Sequence, residues 1–134
     1  MTPVSVRAFR VSALFGFAGV ALGAFGAHGL EQTFALYPKA AHWWETAVFY
    51  HLIHTVVLLL LACIRPFPAL TWRLFAAGIF IFSGSLYALA LTRIVWLGAV
   101  TPIGGLCFLA GWLLLATRVA SKASHPTIEN RSNP

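Results

Sequence analysis

The stretch TAVFYHLIHTVVLLLLACI, Thr46 to Ile64, sets two imidazoles and a phenol inside an apolar run. His51 and His54 are spaced i, i+3, which puts both rings on one side of a helix. Neutral imidazole is a good ligand for zinc, copper or iron, so the pair could give one metal two ligands. His28 or Glu45 could approach from the outer end. Two histidines without a third ligand at fixed spacing do not define a site, and haem needs axial histidines from two helices. No metal or cofactor is therefore assigned. A pocket for a small lipid or a quinone, lined by Tyr50, His54 and Tyr87, is another arrangement that these residue types allow.

Other chemistry has less to stand on. No serine, cysteine or lysine is paired with a base at a recognisable spacing, and there is no phosphate loop. The chain is read as non-enzymatic. Glu31 and Glu45 are single carboxylates near the ends of apolar runs, where solvation or capping is the ordinary role. The TPIGG segment, Thr101 to Gly105, resembles the broken helices that line transport sites, although Thr-Pro also has the plain explanation of a helix start. Four short helices leave little room for a pathway within one copy.

The elements that position these residues follow from composition. The 134 residues are 60% hydrophobic and only 9% charged. Soluble domains carry about 25% charged residues, so the chain belongs to the membrane class. Its net charge of +6 comes from single basic residues scattered between apolar runs. No basic stripe or RNA-type aromatic motif accompanies them, which argues against a nucleic-acid partner. Cys63 and Cys107 both lie in apolar runs, without a CxxC pair, and read as small core or lipid-facing residues.

A span needs about 20 apolar residues, and four segments qualify: 11–27, 46–64, 74–91 and 101–119. The expected fold is an all-α membrane protein, one domain over residues 1–120 with four spans in a small bundle. The polar stretch 121–134 cannot bury a core and is expected to be a disordered tail. The fourth span starts with Thr101 as N-cap and Pro102 in the first helical position, or else continues a longer helix kinked at Pro102. The first span could also be a signal peptide. Gly16, Gly19, Gly23 and Gly26 decide for a helix, because such a stripe lets helix backbones approach closely. Arg7, Arg10, Arg65, Arg73, Arg118, Lys122 and Arg131 fall on one side, and only Lys39 and Arg93 on the other. The positive-inside rule then places both termini in the cytoplasm. Trp43 and Trp44 would be interface anchors on the outer side.

Four motifs stand in order: GAFGAHGL (Gly23–Leu30), WETAVFYHLIH (Trp44–His54), SGSLYALALT (Ser83–Thr92) and TPIGGLCFLAGWLLLA (Thr101–Ala116). Together they resemble the small inner-membrane family of YgdD and transmembrane protein 256, known as domain of unknown function 423. The resemblance implies four membrane helices and no reaction. It carries over to His28, Glu45, Thr46, Tyr50, His54, Ser83, Gly84, Ser85, Tyr87, Thr101, Pro102, Gly104 and Gly105. His51 and Arg93 depart from the pattern, so a site that needs His51 is not expected across the family.

On a helix, Ala47, Tyr50, His51, His54, Leu58 and Leu61 share one side, and Val48, Leu52, Val56, Leu59 and Cys63 share the opposite one. The second set is wholly apolar and expected to face lipid, which turns the histidines inward. Glu45 lies away from His54, at the helix start. The leading expectation is structural: His54 and Tyr50 bond to Ser83, Ser85, Tyr87 or a backbone carbonyl, while Gly84, Gly104 and Gly105 let the helices close. The rival is a ligand, metal or ion site built on Tyr50, His51 and His54. The implied partners are the lipid bilayer and either a second copy or another membrane protein.

Overall fold

The computed structural model describes residues 5–123. Residues 1–4 and 124–134, most of the expected tail, lie outside the described residues. The described chain is entirely helical. Helix α1 (Val6–Gly29) leads through the short α2 (Glu31–Leu36) into α3 (Pro38–Cys63). Next come α4 (Ala69–Gly78), a π-helical turn (Ile79–Ser83) and α5 (Gly84–Thr92), which together form one continuous rod. A 3₁₀ turn (Val95–Ala99) precedes α6 (Thr101–Ala123). Four helical rods are long and apolar enough to cross a membrane: Val6–Gly29, Pro38–Cys63, Ala69–Thr92 and Val95–Arg118. Helices suit hydrocarbon because they satisfy their backbone groups internally.

Three spans begin earlier than hydropathy alone indicates, the first of them at Val6 rather than at 11. Helix α3 starts at Pro38 rather than at residue 46, because proline at the first helical position fixes φ where its missing N–H is not needed. The added turns carry Lys39, His42 and Glu45, which mask the helix in a hydropathy reading. The third rod starts at Ala69, just after Pro68, rather than at 74; Arg73 hides that turn in the same way. Helix α6 extends to Ala123, past the expected boundary at 120. It begins at Thr101 after a separate 3₁₀ turn, so the connection is not one helix kinked at Pro102.

The helices do not form a closed bundle. Helix α3 is the hub, packed against α1 on one side and against the α4–α5 rod on another. Helix α6 packs on the rod's other flank. Half of the rod's apolar window is buried, against 17% for α1. The largest core cluster joins Leu58, Leu61, Phe75, Ile79 and Phe108 from α3, the rod and α6.

The α1–α3 seam runs along the four glycines. A methyl group at Gly16 would meet Thr55, at Gly19 Leu52 and His51, at Gly23 Val48, and at Gly26 the Trp44 indole. Val48 and Leu52 therefore do not face lipid as expected; they fill the trough that the glycines leave on α1. Val56 and Cys63 of the expected face are exposed, and Phe49, Ile53 and Leu60 share that exposure. Trp44 is likewise no interface anchor. It is 2% exposed and donates its indole N–H to the Leu22 carbonyl at 3.0 Å. Gly26 lies four residues after Leu22, and the lack of a side chain there uncovers that carbonyl.

Arg93 ends α5 with φ 59°, the left-handed C-cap region that favours glycine. Its guanidinium lies 4.1 Å from the centre of the Tyr37 ring, a cation–π contact that offsets the backbone strain.

Candidate functional site

The polar residues of α3 separate into two environments. His54 lies on the α6 side. Its Nδ1 is 2.8 Å from the Tyr50 carbonyl, which can only accept, so Nδ1 carries the proton. Nε2 then holds the lone pair and accepts from the Trp112 indole N–H at 3.4 Å. The ring is sandwiched as well as bonded. It stacks on Phe108 with centroids 3.7 Å apart and planes inclined by 9°, and more distantly on Phe75. Tyr50 also stacks on this group but is 37% exposed, at the rim rather than inside.

His51 lies on the other side. Its Nδ1 faces the Tyr87 hydroxyl at 3.3 Å, and its ring meets Phe15 edge-on with centroids 6.0 Å apart. Gly19 on α1 lies against Cδ2, the carbon next to Nε2, so that edge of the ring turns toward α1. The Phe15 carbonyl approaches the ring without completing a hydrogen bond. Among the described residues, Nε2 of His51 is the one buried side-chain polar atom without a hydrogen-bond partner.

Tyr50, His51 and His54 therefore do not make one cluster. Both nitrogens of His54 are engaged, and those of His51 point to different neighbours. Among the described residues no group of three His, Cys, Asp or Glu side chains could hold a metal. His28 is exposed at the end of α1. Glu45 is exposed beside Glu31 in an outer crevice of about 570 Å³ between α1–α2 and α3. The expected pocket of Tyr50, His54 and Tyr87 does not form either, since Tyr87 contacts His51 and the Trp44 ring edge.

The hydroxyls tie helices together. Ser83, fully buried, donates to the Ala47 carbonyl across the seam at 2.8 Å. Ser85 donates to the Phe82 carbonyl at 2.9 Å and pairs with the Thr101 hydroxyl at 2.8 Å. Thr101 donates to Ser85, with the Leu97 carbonyl at 3.4 Å as its alternative acceptor, and does not serve as an N-cap. Gly104 rests directly on the Phe82 backbone, at the π-helical turn. Gly105 makes only ordinary contact with the Phe82 ring. Gly84 packs against nothing, so its expected role in helix closure is not found. It opens instead on a crevice of about 560 Å³ between α1 and α5, lined among others by Phe15, Leu22, His51, Tyr87 and Trp96.

Several contributors were not among the expected residues. Trp112 and Phe108 hold His54, and Trp72 ties α4 to α1 by donating to Ser12 at 3.1 Å. The available signal was a tryptophan in mid-run, as in GWLLLA, away from the ends where tryptophan usually anchors. Gly78 against Phe108 and Gly111 against Phe75 extend the close contact of α6 with the rod.

Comparison with known proteins agrees with a membrane protein. The model of a family described as "Protein of unknown function (DUF423)" matches residues 22–105. This chain belongs to that family. A UPF0382 membrane protein of Staphylococcus haemolyticus is 47% identical over 110 residues, covering 78% of this chain and 88% of that protein. One from Haemophilus influenzae is 46% identical over 111 residues, covering 78% and 86%. The Escherichia coli inner membrane protein YgdD is 41% identical over 109 residues, covering 78% and 82%. No solved structure matches. The DUF423 chain is thus a membrane protein of a family without an assigned activity, and the matched residues take in the whole of α3.

Proposed function

We propose that this DUF423 protein is a non-enzymatic, multi-pass protein of the bacterial inner membrane with a structural or partner-binding role. One observation carries the proposal: apart from His51 Nε2, the buried polar side-chain atoms among the described residues have protein partners, and most of those discussed above join helices. His54 has both nitrogens occupied, and Ser83, Ser85, Thr101, Trp44 and Trp72 each bond to a neighbouring helix or segment. A catalytic group needs a free lone pair or proton aimed at a substrate. Polar ties between membrane helices instead fix rotation and register, at about 0.6 kcal/mol each. Both termini are assigned to the cytoplasm, because Arg7, Arg10, Arg65, Arg73 and Arg118 share one end of the helices.

The test is elemental analysis and an absorption spectrum of detergent-purified protein, beside the His51→Ala/His54→Ala variant. The expected result is a metal-free protein whose variant melts at a lower temperature. A stoichiometric metal that disappears in the variant, or a turnover that depends on His54, overturns the proposal.

A further inference from the structure

We propose that the crevice between α1 and α5 binds a neutral, lipid-soluble ring compound bearing a carbonyl or hydroxyl group, held by His51 and Tyr87. His51 lies midway along α3 (Pro38–Cys63), at hydrocarbon depth, and the crevice runs from there between α1 and the rod to Trp96, Leu97 and Val100 at the rod's end. No carboxylate, lysine or arginine lines it, which excludes a charged ligand at that depth. Phe15, Phe80, Tyr87 and Trp96 give it aromatic walls that suit a flat ring. Its volume of about 560 Å³ falls in the range of small-molecule sites.

The hydrogen-bonding pattern narrows the ligand further. His51 is 5% exposed; its Nε2 is buried on the ring edge turned to α1, where the Phe15 carbonyl approaches the ring without completing a bond. A buried polar atom left unpaired is destabilising, more so where no water can replace the bond. When the Tyr87 hydroxyl donates to Nδ1, Nε2 carries the proton and needs an acceptor, such as a carbonyl. When Nδ1 donates to Tyr87 instead, Nε2 is a bare lone pair and needs a donor, such as a hydroxyl. The pair can therefore receive either group by exchanging tautomers. A phospholipid cannot satisfy it, because its polar groups stay at the membrane surface, far from mid-span.

Gly84 supplies an independent handle. A side chain built there meets no atom within 4 Å, since it projects into the crevice. Gly84→Leu therefore fills the site while leaving the α3 contacts and His51 in place. The experiment measures binding by thermal shift in lipid nanodiscs, with decyl-benzoquinone as probe and decylbenzene as the carbonyl-free control. Wild-type protein is expected to be stabilised by decyl-benzoquinone and not by decylbenzene. His51→Phe and Gly84→Leu should each weaken probe binding at least tenfold while remaining folded. Equal stabilisation by decylbenzene overturns the proposal, because an acyl chain then fills the crevice. No shift in wild type, or wild-type binding by both variants, overturns it as well.

Discussion

The two histidines of α3 sit one turn apart on one helix, yet their surroundings are opposites. On the His54 side, α6 and the rod close over the ring: Phe108 lies flat against it, and both nitrogens are bonded. On the His51 side, α1 and α5 both lean on α3 without closing on each other, and one nitrogen stays unpaired beside a crevice. The glycines show the same contrast. Gly104 of α6 meets backbone, whereas Gly19 of α1 meets the movable end of Leu52. A seam against backbone tolerates no adjustment, while one against a side-chain tip can give. The α6 side is built for rigidity and the α1 side for accommodation.

The sharpest way to break this contrast is a single methyl group. Gly104→Ala would put a Cβ into the Phe82 backbone at the π-helical turn, with no rotamer to relieve the overlap. Overpacking costs about 1–3 kcal/mol where neighbours can shift. Here they cannot, so a loss of about 3 kcal/mol is expected, read as a collapsed melting temperature or aggregation in mild detergent. Wild-type melting of Gly104→Ala would show that the α6 seam is not rigid.

Gly19→Leu probes the softer seam. Its Cβ would lie 2.6 Å from Leu52 Cδ2, a flexible tip, but the leucyl group must still prise α1 from α3. The expected loss is about 2 kcal/mol, with Gly19→Ala costing far less because Leu52 can rotate away. If Gly19→Ala proves as damaging as Gly104→Ala, the difference between the seams disappears.

The four spans, their order and the glycine stripe of α1 were legible in the sequence because length, apolarity and spacing follow directly from the bilayer. What sat opposite each stripe was not. Val48 and Leu52 read as a lipid face because a smooth apolar surface against glycine and one against an acyl chain have the same composition. Gly84 read as a packing residue because the sequence does not tell a glycine under a neighbouring helix from one beside a crevice. His51 and His54 read as one cluster because a spacing of three puts them about 60° apart, near enough to seem a single face. That angle was enough for α6 to take one ring, and α1 and α5 the other. Trp112 was missed because its partner lies 58 residues away in the chain.

Phenylalanine in place of each histidine tests the contrast in its most direct form. His54→Phe keeps the stack on Phe108 but leaves the Trp112 N–H without an acceptor, and a stranded donor of this kind costs about 1–3 kcal/mol. A loss of about 1.5 kcal/mol is expected, and Trp112→Phe on the same background should recover part of it. His51→Phe takes from the Tyr87 hydroxyl its 3.3 Å partner, at a cost of about 1 kcal/mol beside the open crevice, and also removes the unpaired nitrogen. These two changes nearly cancel. The melting temperature of ligand-free His51→Phe should therefore stay within about 1 kcal/mol of wild type, on the stable side if either. Should His51→Phe instead lose as much as His54→Phe, the unpaired nitrogen must be making a contact as strong as those of His54, and the α1 side would be as closed as the α6 side.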